Sequence, residues 1–361
     1  MKILHYIPGF NTGGIESVFL NWYKNLENSD ITFELLVRNY NPDSPMLKEY
    51  LNMGGILHTL DTPALNPKTM FAFRKKVSLF FKTHRDYDFV HMHVADDPFI
   101  LNSARKNGIK EIGVHAHTTG YNESYKQQGL KKMIRDHNVN KANHYFSCSH
   151  EAAEWMFPQY LNRVQIIHNG IDTVEYEFDL EKRNQYRDIL KIGNALVLVH
   201  VGRFSEVKNH IFLLEVFEEL KKNIPNVKLL LVGDGDLLPE IASKFNDENI
   251  HYLGARLDVP EILQAADIFL LPSKFEGLGM SAIESQGAGL PTLVSNRVPL
   301  EVKVTDLVEF ISIDNGVEPW VNQIMECQNS LVRESTTHEL LTAHYDIKQT
   351  TRDLCQYYKD I

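Results

Sequence analysis

The chain has 361 residues, of which 43% are hydrophobic and 23% charged. That composition excludes intrinsic disorder as the main state, and at roughly 150 residues per domain the length predicts two domains. The net charge of −10 is lopsided: residues 1–175 carry 19 Lys and Arg against 18 Asp and Glu, and residues 176–361 carry 18 against 29, which argues against general nucleic-acid binding.

No apolar run approaches the roughly 18 residues that a membrane span needs. Met1–Phe10 holds one lysine and no long apolar core, so no secretory signal is expected. Cys148, Cys327 and Cys355 are scattered and odd in number, which fits neither a disulfide framework nor a zinc spacing and points to a reducing cytosol.

In chain order, Lys2–Ile7 reads as a strand. Gly14–Leu26 follows as a helix, with Ile15, Val18, Phe19, Trp22 and Leu26 on one stripe. Ile31–Val37, Phe89–His93, Ile112–His115, Tyr145–Cys148 and Val164–Ile167 read as further strands separated by helix-compatible stretches. Two basic clusters lie among them: Arg74, Lys75, Lys76, Lys82 and Arg85, then Lys126, Lys131, Lys132 and Arg135. Read plainly they are solvated helix faces; the sharper reading is loose, peripheral contact with an anionic membrane surface. The polar stretch Asn169–Asn194 reads as a linker. Beyond it, strands Ala195–Val201, Val227–Val232, Ile250–Leu253, Ile268–Leu271, Thr292–Ser295 and Glu309–Ile311 repeat the alternation, with a helix at Ile211–Lys222. A last stripe, Ile347, Thr351, Leu354, Tyr358 and Ile361, predicts a closing helix that could pack on either domain. Short apolar strands alternating with helices predict an α/β fold with two doubly wound parallel sheets. Such sheets place ligands at the carboxyl ends of their strands.

The residues after those strands are therefore the candidates. After the first come Gly13, Gly14 and Glu16, where paired glycines at a helix start let backbone approach an anion, or simply make a tight turn. After Val201 come Gly202, Arg203 and Lys208. A guanidinium fork and an ammonium suit a diphosphate, although a structural carboxylate for Arg203 and water for Lys208 would serve as well. Gly233-Asp234-Gly235-Asp236 resembles a dinucleotide fingerprint, but Leu238 stands at the third glycine position. The next strand also ends in Gly254 rather than an acid, so a tight turn is preferred to a dehydrogenase site. After Leu271, Gly277 and Gly279 flank a helix start whose N–H groups at Leu278, Gly279 and Met280 suit phosphate oxygens. Glu276 and Glu284, with seven residues between them, would repel an anion beside them unless they accept hydrogen bonds from sugar and ribose hydroxyls.

His91/His93 and His115/His117 are two H-x-H pairs near strand ends. Alternate residues share a sheet face, so either pair could hold a metal, and a zinc hydrolase with Asp96 or Asp97 is conceivable; core histidines are the more common outcome.

Together these motifs are similar, over essentially the whole chain, to the retaining nucleotide-sugar glycosyltransferases of glycosyltransferase family 4. Gly13-Gly14-x-Glu16, Asn169-Gly170-Ile171-Asp172, Gly202-Arg203 with Lys208, Val232-Gly233-Asp234-Gly235, and Glu276 with Glu284 stand in that family's order. The resemblance implies the GT-B fold, two Rossmann-like domains facing across a cleft. The acceptor-side domain would be 1–172, with a helix from about 345–361 crossing back to it, and the donor-binding domain 173–344. It implies that Arg203 and Lys208 hold the donor diphosphate, that Glu276 contacts the transferred sugar and Glu284 the ribose, and that Leu278, Gly279 and Met280 meet phosphate and sugar through backbone. Gly13 and Gly14 would let the first domain close on the diphosphate, and backbone at Gly254–Arg256 would seat the base. His117 best matches the active-site histidine, with His115 as second choice, and no metal cofactor is required. Glu16, Tyr121, Tyr125 and Lys126 fall on the acceptor side. The substrates implied are a nucleotide-diphosphate sugar, UDP-sugar favoured, and a saccharide or polyprenyl-diphosphate-linked acceptor of bacterial exopolysaccharide or capsule synthesis. Transfer would retain configuration by front-face attack at the inner membrane face. A nucleotide-sugar epimerase and a non-catalytic nucleotide-sugar-binding subunit remain as alternatives.

Overall fold

The structure is a computed structural model, and it describes residues 1–11, 13–27, 30–62, 66, 68–120 and 128–361. Tyr121, Tyr125 and Lys126 lie outside the described residues. By packing the chain divides into two units, Met1–Gly170 with Ile347–Ile361, and Ile171–Asp346.

The first unit holds seven parallel strands: β1 (Lys2–Phe10), β2 (Thr32–Tyr40), β3 (Ile56–Thr59), β4 (Phe89–Met92), β5 (Glu111–Ala116), β6 (His144–Ser147) and β7 (Val164–Ile166). Their order is β3-β2-β1-β4-β5-β6-β7. The second holds β8 (Leu196–Val201), β9 (Val227–Val232), β10 (Ile250–Gly254), β11 (Ile268–Leu271), β12 (Thr292–Ser295) and β13 (Val308–Ile311), in the order β10-β9-β8-β11-β12-β13 and also parallel. Each sheet carries a hydrophobic core on both faces. Leu4, Tyr6 and Val90 serve one face of the first sheet and Ile3, Ile7 and Phe89 the other; Val197 and Val199 oppose Leu196 and Leu198 in the second. This two-faced burial explains the near-continuous apolar runs of the strands.

β3 was not expected from the sequence. It is a short edge strand, with Ile56 half exposed, and its pattern carries no buried run for a sequence reading to detect. The stretch expected as a linker is instead structured. It contains the helices Thr173–Tyr176 and Leu180–Ile189, both capped by aspartates, Asp172 and Asp179. The second helix is polar because its arginines are used internally. Arg183 pairs with Asp267 at 2.5 Å, and Arg187 donates to the Gly193, Ala195 and Ala265 carbonyls, while Asp267 also accepts the Val197 N–H at 2.8 Å.

The closing helix is Ile347–Lys359. Ile347, Thr351, Leu354 and Tyr358 are buried against the Trp22 side of the first sheet, and Ile361 is exposed. The chain leaves the first unit beside the point where it returns: a Cβ on Gly170 would fall 2.6 Å from Ile347 Cα. Among the described residues no helix is long and apolar enough to cross a membrane.

Candidate functional site

The second unit assembles most of the candidate residues at the carboxyl ends of β8, β9 and β11. β8 runs into the loop Gly202–Phe204, and β9 into the turn Gly233–Gly235. Gly202 and Phe204 N–H donate to Val232 and Asp234 carbonyls at 2.9 Å. The fit requires glycine, since at φ +139° a Cβ on Gly233 would sit 2.1 Å from the Gly202 carbonyl oxygen, and at φ +154° one on Gly235 would sit 2.4 Å from that of Phe204. The Gly233 turn is thus a spacer that lets the Arg203 loop lie down. Arg203 itself is exposed, and no ion pair to it occurs among the described residues.

Lys208 ends a short 3-10 turn, Glu206–Lys208. The turn is tied to the loop after β11 by the Lys274 N–H donating to the Val207 carbonyl at 2.8 Å and by Asn209 Nδ2 donating to the Pro272 carbonyl at 3.1 Å. Asn209 adopts φ +57°, which asparagine tolerates. This brings Lys208 Nζ to 2.6 Å from Glu276 Oε1, with the two side chains only 19% and 10% exposed. The sequence reading gave the two residues separate ligands; the structure pairs them.

The helix after β11 is Met280–Gly287. Gly279 caps it at φ +91° with no side-chain cap, and Leu278 is buried beneath it. Glu284, on its second turn, accepts a hydrogen bond from the Tyr176 hydroxyl. Burial pushes its carboxyl up to about 7, with that hydrogen bond and the Lys208 charge pulling the other way. Tyr176 was not anticipated, because it lies far away in sequence on the helix taken for linker. Also missed was His200 on β8. Its Nδ1–H donates to the Leu270 carbonyl at 2.8 Å, leaving a buried Nε2 without a partner, 3.0 Å from where a Gly202 Cβ would be. Gly254 stands at φ +68° with its carbonyl accepting the Gly233 N–H at 2.8 Å, and Arg256 is held by Asp258.

Gly13, Gly14, Glu16 and His117 belong to the first unit. Gly13 N-caps the helix Gly14–Lys24, and the Glu16 carboxylate folds back to accept the Asn11 N–H at 3.2 Å. A Cβ on Gly13 would strike that carboxylate, whereas one on Gly14 would meet nothing within 4 Å. His117 follows the end of β5 and is partly exposed, while His115 is fully buried inside the strand. Asp97, considered above as a metal ligand, is engaged elsewhere: Arg38 pairs with it at 3.0 Å and the Tyr6 hydroxyl donates to it. Among the described residues, His91, His93 and His115 bring nitrogens within 4.8 Å of one another.

With that geometry in place, residues 12–175 match the model of Glycosyltransferase Family 4, and residues 182–329 match that of Glycosyl transferases group 1. A Bacillus subtilis protein that carries the glycosyltransferase name EpsF is 27% identical, over 99% of this chain and 96% of its own length. The chain is a GT-B glycosyltransferase. The Escherichia coli UDP-Gal:alpha-D-GlcNAc-diphosphoundecaprenol alpha-1,3-galactosyltransferase is 26% identical to the enzyme over 92% of this chain and 89% of its own. Among solved structures, that of Anabaena HepE in complex with UDP and glucose shares the fold with a TM-score of 0.83, at 16% identity and full coverage of both chains.

Proposed function

We propose that the enzyme transfers a hexose, with retention of configuration, from a UDP-sugar to a lipid-diphosphate-linked saccharide in bacterial exopolysaccharide or capsule synthesis. The observation that carries this is the Lys208–Glu276 pair beside Glu284 and the uncapped Met280–Gly287 helix start. One cluster thus offers cationic and N–H groups for a diphosphate and carboxylates for hydroxyls. The names of relatives support the substrates: the E. coli enzyme is named for a UDP-galactose donor and a diphosphoundecaprenol acceptor, and a Staphylococcus aureus relative, 23% identical over 99% of this chain and 98% of its own, is named for capsular polysaccharide biosynthesis.

The chemistry follows from charge. Departure of a nucleoside diphosphate builds negative charge on its terminal oxygens, which Lys208, Arg203 and the helix N-terminus stabilise electrostatically without a metal. The sugar centre becomes cation-like, and Glu276, the partner of Lys208, would accept a hydrogen bond from a sugar hydroxyl. Glu284 takes the ribose, and backbone at Gly254–Arg256 takes the base. From the family resemblance, His117 would meet the transferred sugar, the Gly13-Gly14 backbone the diphosphate, and Glu16 the acceptor. Front-face attack, with a leaving phosphate oxygen drawing off the acceptor proton, needs no nucleophilic side chain.

Membrane contact is assigned to the helix Met70–Thr83. Its outer face carries exposed Phe71, Lys75, Leu79 and Lys82, with Arg74, Lys76 and Arg85 exposed nearby. The second basic cluster contributes less, because Lys131 pairs with Asp96 at 3.3 Å and Arg135 is buried against Asp136 and Trp155. The deciding experiment is mass-spectrometric screening of UDP-, GDP- and ADP-sugars with polyprenyl-diphosphate-linked saccharides. A glycosidic product from a UDP-sugar supports the reading. An epimerised free nucleotide sugar without glycoside, or no turnover of any donor, would overturn it.

A further inference from the structure

The proposed function gives no role to His200, which stands on β8 two residues before Gly202. Its Nδ1 lies 2.8 Å from the Leu270 carbonyl oxygen. A carbonyl can only accept, so Nδ1 carries a proton. Burial holds the imidazole down to about 4, with the Lys208 charge acting the same way and the Leu270 hydrogen bond against it, so the ring is neutral near pH 7 and Nε2 is a bare lone pair. The fold thus fixes the tautomer. The ring is fully buried, and Nε2 has no partner among the described residues. Buried acceptors in native structures are rarely left unpaired, so a donor is wanted here.

Two side chains near that lone pair can donate. One is Lys208. A Cβ on Gly202 would sit 3.0 Å from His200 Nε2 and 3.2 Å from both Cδ and Cε of Lys208, so glycine leaves open a space that the imidazole and the lysine stem both border. The other is His210, whose ring stands edge-on to His200 at 4.7 Å and forms no hydrogen bond with it. His210 is buried at the start of its helix and stacked on Phe204 at 4.0 Å, so it is held where it is. Lys208, on a flexible four-carbon stem, can turn. The lysine also has N–H groups to place. An ammonium carries three: Glu276 takes one at 2.6 Å, and a diphosphate oxygen would take a second. With the side chain 19% exposed and a ligand over it, the third needs an acceptor from the protein.

We propose that His200 is a positioning residue for Lys208: with the donor bound, the ammonium gives its third N–H to His200 Nε2 and is aimed by three acceptors, Glu276, the diphosphate and the imidazole. This rests on the reading of Lys208 as a diphosphate ligand. All three side chains belong to the second unit. A neutral acceptor suits the position. A second carboxylate would cancel more of the charge that the leaving group needs, whereas an imidazole lone pair orients the ammonium and leaves its charge intact.

The test is nitrogen NMR of the intact chain labelled with ¹⁵N-histidine, with and without saturating UDP, the His200 signals being those lost in His200→Gln. His200 should show a protonated Nδ1 and a bare Nε2. UDP should move the Nε2 resonance toward its hydrogen-bonded position in the wild type and not in Lys208→Met. A protonated Nε2, an unmoved one, or movement that persists in Lys208→Met and so assigns the donor to His210 overturns the proposal. In titrations His200→Phe should weaken UDP about fivefold, the scale of one hydrogen bond. His200→Gln, whose amide oxygen can stand in for Nε2, should restore most of it, and equal weakening in both variants would mean a packing role only. If His200→Phe does not fold, the wild-type and Lys208→Met spectra decide alone. Lys208→Met binding UDP as tightly as the wild type would refute the reading of Lys208 as a diphosphate ligand, and this proposal with it. Weakened binding in Lys208→Met beside an unmoved wild-type Nε2 would refute the role of His200 alone.

Discussion

Glu276 and Glu284 present the same functional group in different surroundings, and the difference predicts different phenotypes. Glu284 is desolvated and accepts from Tyr176, and the proposed ribose would share its oxygens. Glu284→Gln should weaken both UDP and the full donor roughly tenfold, as a lost charged hydrogen bond of about 1.5–3 kcal/mol implies. Glu276→Gln should leave UDP affinity intact or raise it, because it frees Lys208 from its counter-charge, while turnover falls. Isothermal titration with UDP beside turnover of the donor measures both, and equal losses of UDP affinity would reverse the donor orientation. The carboxyl raised to about 7 adds a pH signature. As pH falls through 7 the group takes up a proton and loses an acceptor, so UDP affinity should drop between pH 8 and 6 more steeply in the wild type than in Glu284→Gln. The stability effect runs the other way. The folded state holds a proton that the unfolded chain, at its ordinary 4.5, has released, so stability from this group is fullest below about 4.5 and is lost as pH rises through 7.

At the scale of elements, the Gly233 turn and the helix Met70–Thr83 make separate predictions. Gly233→Ala forces a Cβ against the Gly202 carbonyl from a backbone angle that side chains avoid. It should cost roughly 2 kcal/mol or more and displace the Arg203 loop, read as a lower urea midpoint together with weaker UDP binding. A midpoint within error of wild type would show that the loop relaxes freely. The exposed basic and apolar face of Met70–Thr83 should bind anionic vesicles. At about 1 kcal/mol per basic residue near the surface, Lys75→Glu with Lys82→Glu should abolish sedimentation with vesicles at low salt. Equal binding of the wild type to neutral vesicles would exclude the electrostatic component.

For the whole molecule, charge stabilisation by side chains and a helix terminus predicts that transfer survives excess EDTA. Abolition by chelator and rescue by manganese would show that Arg203 and Lys208 do not suffice for the leaving diphosphate. The charge imbalance belongs to this scale as well. The surplus acid lies in the half that carries Lys208 and Arg203, so in the proposed donor role these cations would act locally, against the net field of their own half.

The sequence by itself determined the two parallel α/β sheets and the placement of chemistry after their strands. Doubly buried strands such as Leu196–Val201 and Ile268–Leu271 must be continuous apolar runs, and glycines and charges at their ends stand out against that background. It also singled out the candidates, Glu276 and Glu284 because they flank a helix start and Lys208 because it follows a buried strand. Tertiary structure alone decided what long-range packing brings together. It folded the polar stretch after Asn169 into helices, since arginines satisfied by Asp267 and by carbonyls look like surface until their partners are placed. It joined Lys208 to Glu276 and Tyr176 to Glu284, and it lined up His5, His93 and His117, whose contacts depend on which strands are neighbours. Hydrophobic periodicity is a local property and can be read along a chain; a hydrogen bond across strands or loops depends on register and sheet order, which no local pattern encodes.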